Sequence, residues 1–247
     1  MKRLAIIATL LILTMPAAHA DDLGMWLGAT IEKKLSKQMS VAVDGEWRLR
    51  DNISATDRFS VGVEADYKIM PWLKADAGYK YLHSRQPRAL SNSGNYIYNT
   101  YWYPRHRIFA SLEGTWKLKR LKLSLRERWQ YTYRPEFVRH RMNINELSSG
   151  YGTVSDNAKE GKAQNYLRSR LSAEYNIRKC PLSPFASVEM FNGWSIGKVR
   201  YSIGTDYKLD KHNSLKLYYM FSDRKAYDTD DDITDSHIIG IDYKYSF

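Results

Sequence analysis

The chain has 247 residues, 43% of them hydrophobic and 13% aromatic, and a formal net charge of +11. This length suits a single domain, and the lone cysteine, Cys180, excludes an intrachain disulfide. The Lys and Arg residues recur at the two-residue period of a strand and belong to no nucleic-acid-binding motif, which argues against a nucleic-acid partner.

Residues 1–20 have the pattern of a secretory signal peptide. A basic start is followed by an apolar run from Leu4 to Leu13, and small residues precede a cleavage site after Ala20. The run is shorter than the roughly 20 apolar residues that a membrane-spanning helix requires. We therefore expect an exported protein whose mature domain comprises residues 21–247.

The mature chain is dominated by segments in which apolar and polar residues alternate. In 39–50, Val43 and Trp47 lie on one face of the predicted strand, while Asp44 and Arg48 lie on the other. Segments of about ten residues with this pattern have the length of a tilted transmembrane strand. In chain order, the eleven predicted strands are 23–32, 39–50, 58–69, 73–82, 107–117, 121–133, 166–177, 184–191, 199–209, 215–222 and 237–247.

The connections between these strands alternate in length. Tight turns are predicted at 70–71, 118–120, 178–183 and 210–213, and long loops at 83–105, 134–162 and 222–232. Outer-membrane barrels have short periplasmic turns, long extracellular loops and aromatic belts at both interfaces. Aromatic residues near the predicted strand ends are Trp72, Tyr81, Trp116, Trp129, Tyr131, Tyr207 and Tyr219. The sequence therefore predicts an all-β, antiparallel transmembrane β-barrel of about 10–12 strands, in preference to a soluble periplasmic β-protein.

Two details depart from this pattern. Single-chain bacterial barrels have an even number of strands. Because eleven are predicted, we expect a further strand within a long loop or an irregular N-terminal segment. Glu127 falls on the lipid-facing side of 121–133, where an acid is costly. A bulge after Leu125 would turn its side chain inward.

Six stretches of the mature chain are similar to a known family: GEWRLRDN (45–52), GYKYLHSR (78–85), RERWQYTYRPEF (126–137), SPFASVEMFNG (183–193), KVRYSIGTDYKLDKHNSLKLYY (198–219) and GIDYKYSF (240–247). They resemble bacterial outer-membrane proteins of domain of unknown function 2490, over nearly all the mature chain. The resemblance implies an outer-membrane β-barrel and brings no established activity or site. The terminal Phe247, preceded by alternating aromatic residues, also resembles the C-terminal signal that the barrel-assembly machinery recognises.

The polar face of the predicted strands carries charges of both signs. The candidates for lining the lumen are Asp44, Glu46, Arg48, Arg50, Glu64, Asp66, Arg126, Arg128, Arg168, Arg170, Glu174, Glu189 and Arg200. Rows of arginine favour a water-filled conduit for anionic solutes, whereas a narrow barrel can be filled by its own side chains, here as ion pairs. The sequence therefore favours passive passage of small solutes through a narrow, charged lumen, or a structural role in the envelope.

Further arginines lie in or beside the long loops. These rim candidates are Arg85, Arg88, Arg105, Arg134, Arg139 and Arg141. Outside the cell they would meet the phosphate groups of lipopolysaccharide, which the forked guanidinium group binds well. The expected partners are therefore outer-membrane lipid and lipopolysaccharide, together with the barrel-assembly machinery during biogenesis.

An outer-membrane enzyme that acts on lipid or peptide at the extracellular rim is the alternative. His83, Ser84, His106 and His140 lie near the predicted outer ends, but the sequence places no acid beside them and contains no hydrolase motif. No catalytic residue is therefore assigned.

Two further stretches have compositions found at ligand sites, but neither predicts a ligand. The acidic loop 228–235 lacks the glycine and closing glutamate of an EF-hand, and no His or Cys cluster has zinc spacing, so neither a metal nor a cofactor is predicted. The aromatic stretch 96–104 could stack on sugars or plug the mouth, but an extension of the strand above the membrane is favoured.

Overall fold

The computed structural model describes residues 22–91, 93–144, 154–193, 196–224 and 236–247. The strands are β1 (Asp22–Lys34), β2 (Met39–Arg50), β3 (Ala55–Met70), β4 (Leu73–Gln86), β5 (Ala89–Leu90), β6 (Tyr96–Tyr98), β7 (Tyr101–Leu118), β8 (Leu121–Arg134), β9 (Phe137–Asn143), β10 (Val154–Lys159), β11 (Lys162–Tyr175), β12 (Leu182–Asn192), β13 (Ile196–Lys208), β14 (Asn213–Arg224) and β15 (Ser236–Ser246). All but β5, β6, β9 and β10 belong to one closed barrel of eleven strands. The predicted all-β barrel is confirmed. Within the described ranges, no helix has the length and apolar character needed to cross a bilayer.

The two-residue alternation of the strands separates apolar from polar side chains across the barrel wall. On the outer face, Val43, Val61 and Ile203 are 52%, 59% and 60% exposed. On the inner face, Asp76 and Glu189 are buried. A water-soluble protein buries its large apolar side chains. The reverse distribution is that of a barrel whose outer wall faces lipid.

The barrel closes through one parallel pair of strands. The other neighbouring barrel strands pair in antiparallel fashion, whereas β1 and β15 run parallel, from Asp22 opposite Ser236 to Glu32 opposite Ser246. An odd number of alternating strands can close only in this way, because the first and last strands then point in the same direction. The expected even number is therefore wrong for the described residues.

Contacts at the ends of β1 and β15 reinforce this parallel seam. The backbone N–H of Phe247 donates to the Glu32 carbonyl oxygen, and that of Lys34 donates to the Phe247 carbonyl oxygen, both at 3.0 Å. On the inner face, Lys244 Nζ lies 2.7 Å from Glu32 Oε2. The terminal phenylalanine is therefore part of the closed wall.

The connections are sorted between two ends of the barrel. The turn end carries Phe247 and the segments 35–38, 71–72, 119–120, 176–181 and 209–212. The loop end carries Asp22, the segments 51–54 and 87–100, and the described strand ends that flank the connections after β8, β12 and β14. The predicted sorting holds for the long connections 87–100 and 135–161, although the connections after β2 and β12 are short despite their place at the loop end. The acidic loop 228–235 lies outside the described residues.

Hydrogen bonds within 209–212 stabilise one of the tight turns. Asp210 accepts hydrogen bonds from the backbone N–H groups of His212 and Asn213, each at 2.7 Å. These donors and the Asn213 amide hold the pKa of Asp210 below its ordinary value. The turn therefore has an acidic side chain that remains charged at neutral pH and orders its backbone.

The two longest loops build a second, smaller sheet beyond the loop end, which we call the outer sheet. It contains β5 and β6 from one loop and β9 and β10 from the other, in the order β10-β9-β6-β5. The prediction that 96–104 extends a strand is thus only partly right. Tyr101–Pro104 does begin β7, but Tyr96–Tyr98 pairs with β9 in the outer sheet.

Close approach to a ring requires glycine at one position of the wall. Tyr218 of β14 faces the lumen, opposite Gly204 of β13 and Gly240 of β15. A β-carbon at position 240 would overlap the phenol ring of Tyr218. Because Gly240 has no side chain, the Tyr218 ring can lie flat against β15.

Replacing Gly240 with valine is expected to lower the free energy of unfolding by about 1–3 kcal/mol, because the ring or the strand must move. Urea unfolding of the refolded barrel measures this change. Gly45→Val is the matched control, since a β-carbon at Gly45 would lie 4.0 Å from its nearest neighbouring atom. Equal losses in the two variants would contradict the packing of Tyr218 against Gly240.

Candidate functional site in the barrel lumen

The barrel encloses a cavity of about 300 Å³. Ten of the lumen candidates line it: Asp44, Glu46, Arg48, Glu64, Arg126, Arg128, Arg168, Arg170, Glu189 and Arg200. The other three lie towards its ends. Arg50 stands near the loop end, 3.5 Å from Asp57. Asp66 and Glu174 stand near the turn end and pair with Lys74 and Lys122.

Positive charge predominates on the wall of this cavity. Among the described residues that line it, twelve are Lys or Arg and five are Asp or Glu. The basic residues outside the candidate set are Arg58, Lys80, Arg105, Arg107, Lys198 and Lys216. Arg105 was predicted at the rim, but it is only 5% exposed and donates to Ser84 Oγ at 2.7 Å, inside the loop end of the wall.

Glu189 is the centre of the main charged cluster. Arg126 Nη2 lies 2.8 Å from its carboxylate, Arg168 Nη2 lies 2.9 Å away, and Arg200 Nη1 lies 4.0 Å away. The four side chains come from β12, β8, β11 and β13, which are neighbours in the barrel. One carboxylate thus faces three guanidinium groups, so the cluster keeps a surplus of positive charge.

A second cluster contains three carboxylates. One oxygen from each of Glu64, Asp66 and Asp76 lies within 4.8 Å of the others, a spacing that a cation could bridge. Arg128 Nη2 is already 2.7 Å from Asp76 and 3.5 Å from Glu64, and Lys74 Nζ is 2.5 Å from Asp66. Arg128 and Lys74 therefore already neutralise part of the negative charge of this cluster.

Aromatic rings support several of the lumen cations. The Arg48 guanidinium lies 3.4 Å from the centroid of the Trp26 ring, and Arg168 lies 4.5 Å from that of Phe191. Cation–π contacts of this kind hold a guanidinium group in a fixed plane while leaving its N–H edge available. Sequence reasoning missed these rings. The available signal was their position on the otherwise polar face, where Trp26 is paired with Arg48 across β1 and β2.

Arg107 is a lumen arginine whose hydrogen-bonding partner is neutral. Its Nε donates to Thr132 Oγ1 at 3.1 Å, and no carboxylate of the described chain lies within ion-pairing distance. An anion in the cavity would therefore meet a positive charge at Arg107 that no described carboxylate opposes.

The family model described as "Protein of unknown function (DUF2490)" matches residues 23–232. The chain belongs to this family. No curated protein sequence matches it significantly. Two of its structural neighbours are the β domain of the Bordetella autotransporter BrkA (15% identity, 87% of this chain and 86% of that chain, TM-score 0.51) and the translocator domain of autotransporter NalP from Neisseria meningitidis (10% identity, 83% and 73%, TM-score 0.48). At 15% identity the likeness to the BrkA domain shows the fold alone, a β-barrel.

The remaining rim arginines of this DUF2490 barrel take part in the loop-end structure. Arg134 Nη2 donates to the Glu160 carbonyl oxygen at 3.1 Å. Arg139 Nε donates to Asn157 Oδ1 at 3.0 Å, and Arg141 Nε donates to Ser155 Oγ at 3.2 Å. Arg85 accepts a hydrogen bond from Arg50 through its carbonyl oxygen, and Arg88 is exposed.

The histidine candidates do not form a catalytic arrangement in the described part of the DUF2490 chain. The His83 ring stacks on Trp102 at 5.1 Å, whereas Ser84 points to the opposite face of β4. His106 shares a hydrogen bond with the Tyr79 hydroxyl. His140 pairs with Asp156 at 2.7 Å, but both are exposed and no nucleophile contacts the imidazole.

Glu127 remains on the outer face of the DUF2490 barrel. The registers of β8 with β7 and with β11 are continuous through this position, so the expected bulge after Leu125 is wrong. Ser169 on β11 donates a hydrogen bond to Glu127 Oε2 at 2.7 Å. The hydroxyl offers the acid one polar partner on an otherwise apolar surface.

Proposed function

We propose that this chain is an outer-membrane barrel through which small anionic solutes pass passively. The observation that carries the proposal is the excess of basic over acidic side chains on the cavity wall, twelve against five. A narrow passage lined mainly by one sign of charge raises the local concentration of the opposite ion. Arg107, with no carboxylate of the described chain beside it, marks the position where an anion is bound best.

The proposal places the outer wall in the outer membrane, with the turn end in the periplasm and the loop end outside the cell. The exposed apolar outer face and the signal-peptide pattern of residues 1–20 support this location. Lipopolysaccharide phosphates would then contact the rim, where Arg88 is exposed. The barrel-assembly machinery would act on the strand that ends at Phe247.

A structural role in the envelope is the second candidate. The ion pairs of Glu189 and Asp76 extend into the lumen and favour a closed interior. A rim enzyme has less support, because the exposed His140–Asp156 pair has no nucleophile in contact within the described chain.

Release of ions from proteoliposomes tests the proposed passage. Residues 21–247, refolded and inserted, are expected to release trapped chloride when valinomycin carries the compensating potassium, because the positively charged wall admits the anion. Heat-dependent gel mobility confirms insertion, and liposomes without protein are the control. No chloride release from a demonstrably inserted protein would reject passage and leave the structural role.

A further inference from the structure

A second cavity lies at the loop end, between the outer sheet and the start of β7, and we call it the outer pocket. Its volume is about 580 Å³. One side is aromatic, formed by Tyr98, Tyr101, Tyr103 and Phe137. The charged side chains that line it are Arg134, Arg139 and Lys159, and no Asp or Glu of the described chain does so. The pocket therefore combines flat apolar surfaces with uncompensated positive charge.

The aromatic side of the outer pocket is preorganised. The Phe137 ring stacks on Tyr103 with a centroid distance of 5.5 Å and an angle of 12°, and it meets Tyr101 at 5.3 Å. Tyr103 is 6% exposed, so this cluster is anchored in the protein. A ligand that packs against these rings pays little for ordering them.

The cations of the outer pocket are also held in place. The Arg139 guanidinium lies 3.6 Å from the Tyr98 ring centroid, and its Nε is engaged by Asn157. This arrangement leaves the two terminal nitrogens of Arg139 without a partner in the described chain, as a fork for an anionic group. Arg134 stands over Phe137 at 5.3 Å on the same side of the cavity.

The outer pocket leads into the lumen through a basic constriction. A small cavity shares Tyr103 and Arg134 with the outer pocket and shares Arg105, Thr132 and Gln164 with the lumen. Lys162 completes its lining, and again no carboxylate of the described residues contributes. An anion held in the outer pocket would therefore meet only neutral and positively charged groups before it reaches the lumen.

We propose that the outer pocket binds a sugar that carries a phosphate or carboxylate group. The C–H face of the sugar ring packs against Tyr101, and Arg139, held over Tyr98, binds the anionic group together with Lys159. The volume suits a small ligand of this kind. This inference rests on the proposed function in that it names the chemical class of the anions that pass.

Calorimetric titration of the refolded full-length mature chain, in detergent and free of lipopolysaccharide, tests the pocket. The probes are glucose 6-phosphate, glucuronate, glucose and inorganic phosphate. We expect saturable binding of the two acidic sugars and at least about tenfold weaker binding of glucose and of inorganic phosphate, since each of these lacks one half of the ligand. Equal binding of glucose or of inorganic phosphate would overturn the proposal.

Single substitutions test whether the ligand binds in the outer pocket or is attracted by the net positive charge of the protein. Arg139→Gln and Tyr101→Leu should each weaken glucose 6-phosphate binding about tenfold. Arg120→Gln, which removes an exposed arginine at the turn end, far from the pocket, should leave binding unchanged. The assignment would be overturned if the control variant also lost binding. It would be overturned as well if Arg139→Gln and Tyr101→Leu both bound glucose 6-phosphate normally. Gel mobility confirms that each variant is folded.

A competition step distinguishes the source of the ligand. If added lipopolysaccharide displaces glucose 6-phosphate, the pocket binds phosphorylated sugars of the surrounding membrane. If it does not, the pocket binds free solutes. Because binding is measured without transport, failure here leaves the chloride-release result standing, and failure of release leaves the binding result standing.

Discussion

Replacing Glu189 with glutamine is expected to lower the free energy of unfolding by about 3 kcal/mol, because removal of one partner from a buried ion pair leaves uncompensated charge. Arg126 and Arg168 both lie within 3 Å of this carboxylate, whose side chain is 10% exposed. In Glu189→Gln they face each other with no negative charge between them. Urea unfolding of the refolded barrel measures the loss.

Glu113→Gln is the matched control for this variant. Glu113 is also an inward-facing carboxylate, but it lies 3.9 Å from Arg170 Nη2 and its side chain is 21% exposed. Its replacement should cost about 1 kcal/mol or less, as for a partly solvated pair. If both variants lost the same stability, the central position of Glu189 in the charged cluster would be wrong.

Reversing the charge of Arg107 is expected to reduce the preference for anions more than any other single change in the wall. The variant Arg107→Glu changes the local charge by two units at the position with no opposing carboxylate in the described chain. We expect the chloride-to-potassium permeability ratio to fall about tenfold, which corresponds to about 1.4 kcal/mol and is modest for charges a few ångströms apart. Reversal potentials in a planar bilayer measure the ratio.

The control for Arg107→Glu is an arginine-to-glutamate substitution outside the lumen. Arg120 is exposed in the 119–120 turn, so Arg120→Glu alters the net charge equally without touching the cavity. Its permeability ratio should remain close to that of the unmodified protein. Equal shifts in both variants would show that overall charge, and not the lumen wall, sets the selectivity.

Much of the barrel follows from local pattern. Alternation over 39–50 was enough to place Val43 outside and Asp44 inside, since each strand residue points opposite to its neighbours. The tight turns at 70–71 and 118–120 were found from the same pattern within one or two residues. These features depend only on neighbouring residues.

Features that depend on distant pairing were not predictable in this way. The parallel seam joins β1 to β15 across most of the chain, so the odd strand number could not be resolved from either segment alone. Arg105 was assigned to the rim because β7 was predicted to begin at 107. The strand begins at Tyr101 and carries Arg105 into the wall.

The clusters of the lumen also required the register of the strands. Glu189 meets Arg168 and Arg126 because β12 lies beside β11 and β11 beside β8. The sequence supplied each charge but not its partner. The outer pocket was harder still to predict, since its aromatic wall joins Tyr98 and Tyr101 of one predicted loop to Phe137 of another.

Single-channel recording of the refolded mature chain tests most directly whether the charged lumen admits small anions. With a potassium chloride gradient across the bilayer, discrete conductance steps are predicted, with a reversal potential displaced towards that of chloride. A reversal potential displaced towards that of potassium would contradict the role of the basic wall. An absence of steps from protein whose insertion is shown by its gel mobility would contradict passage itself.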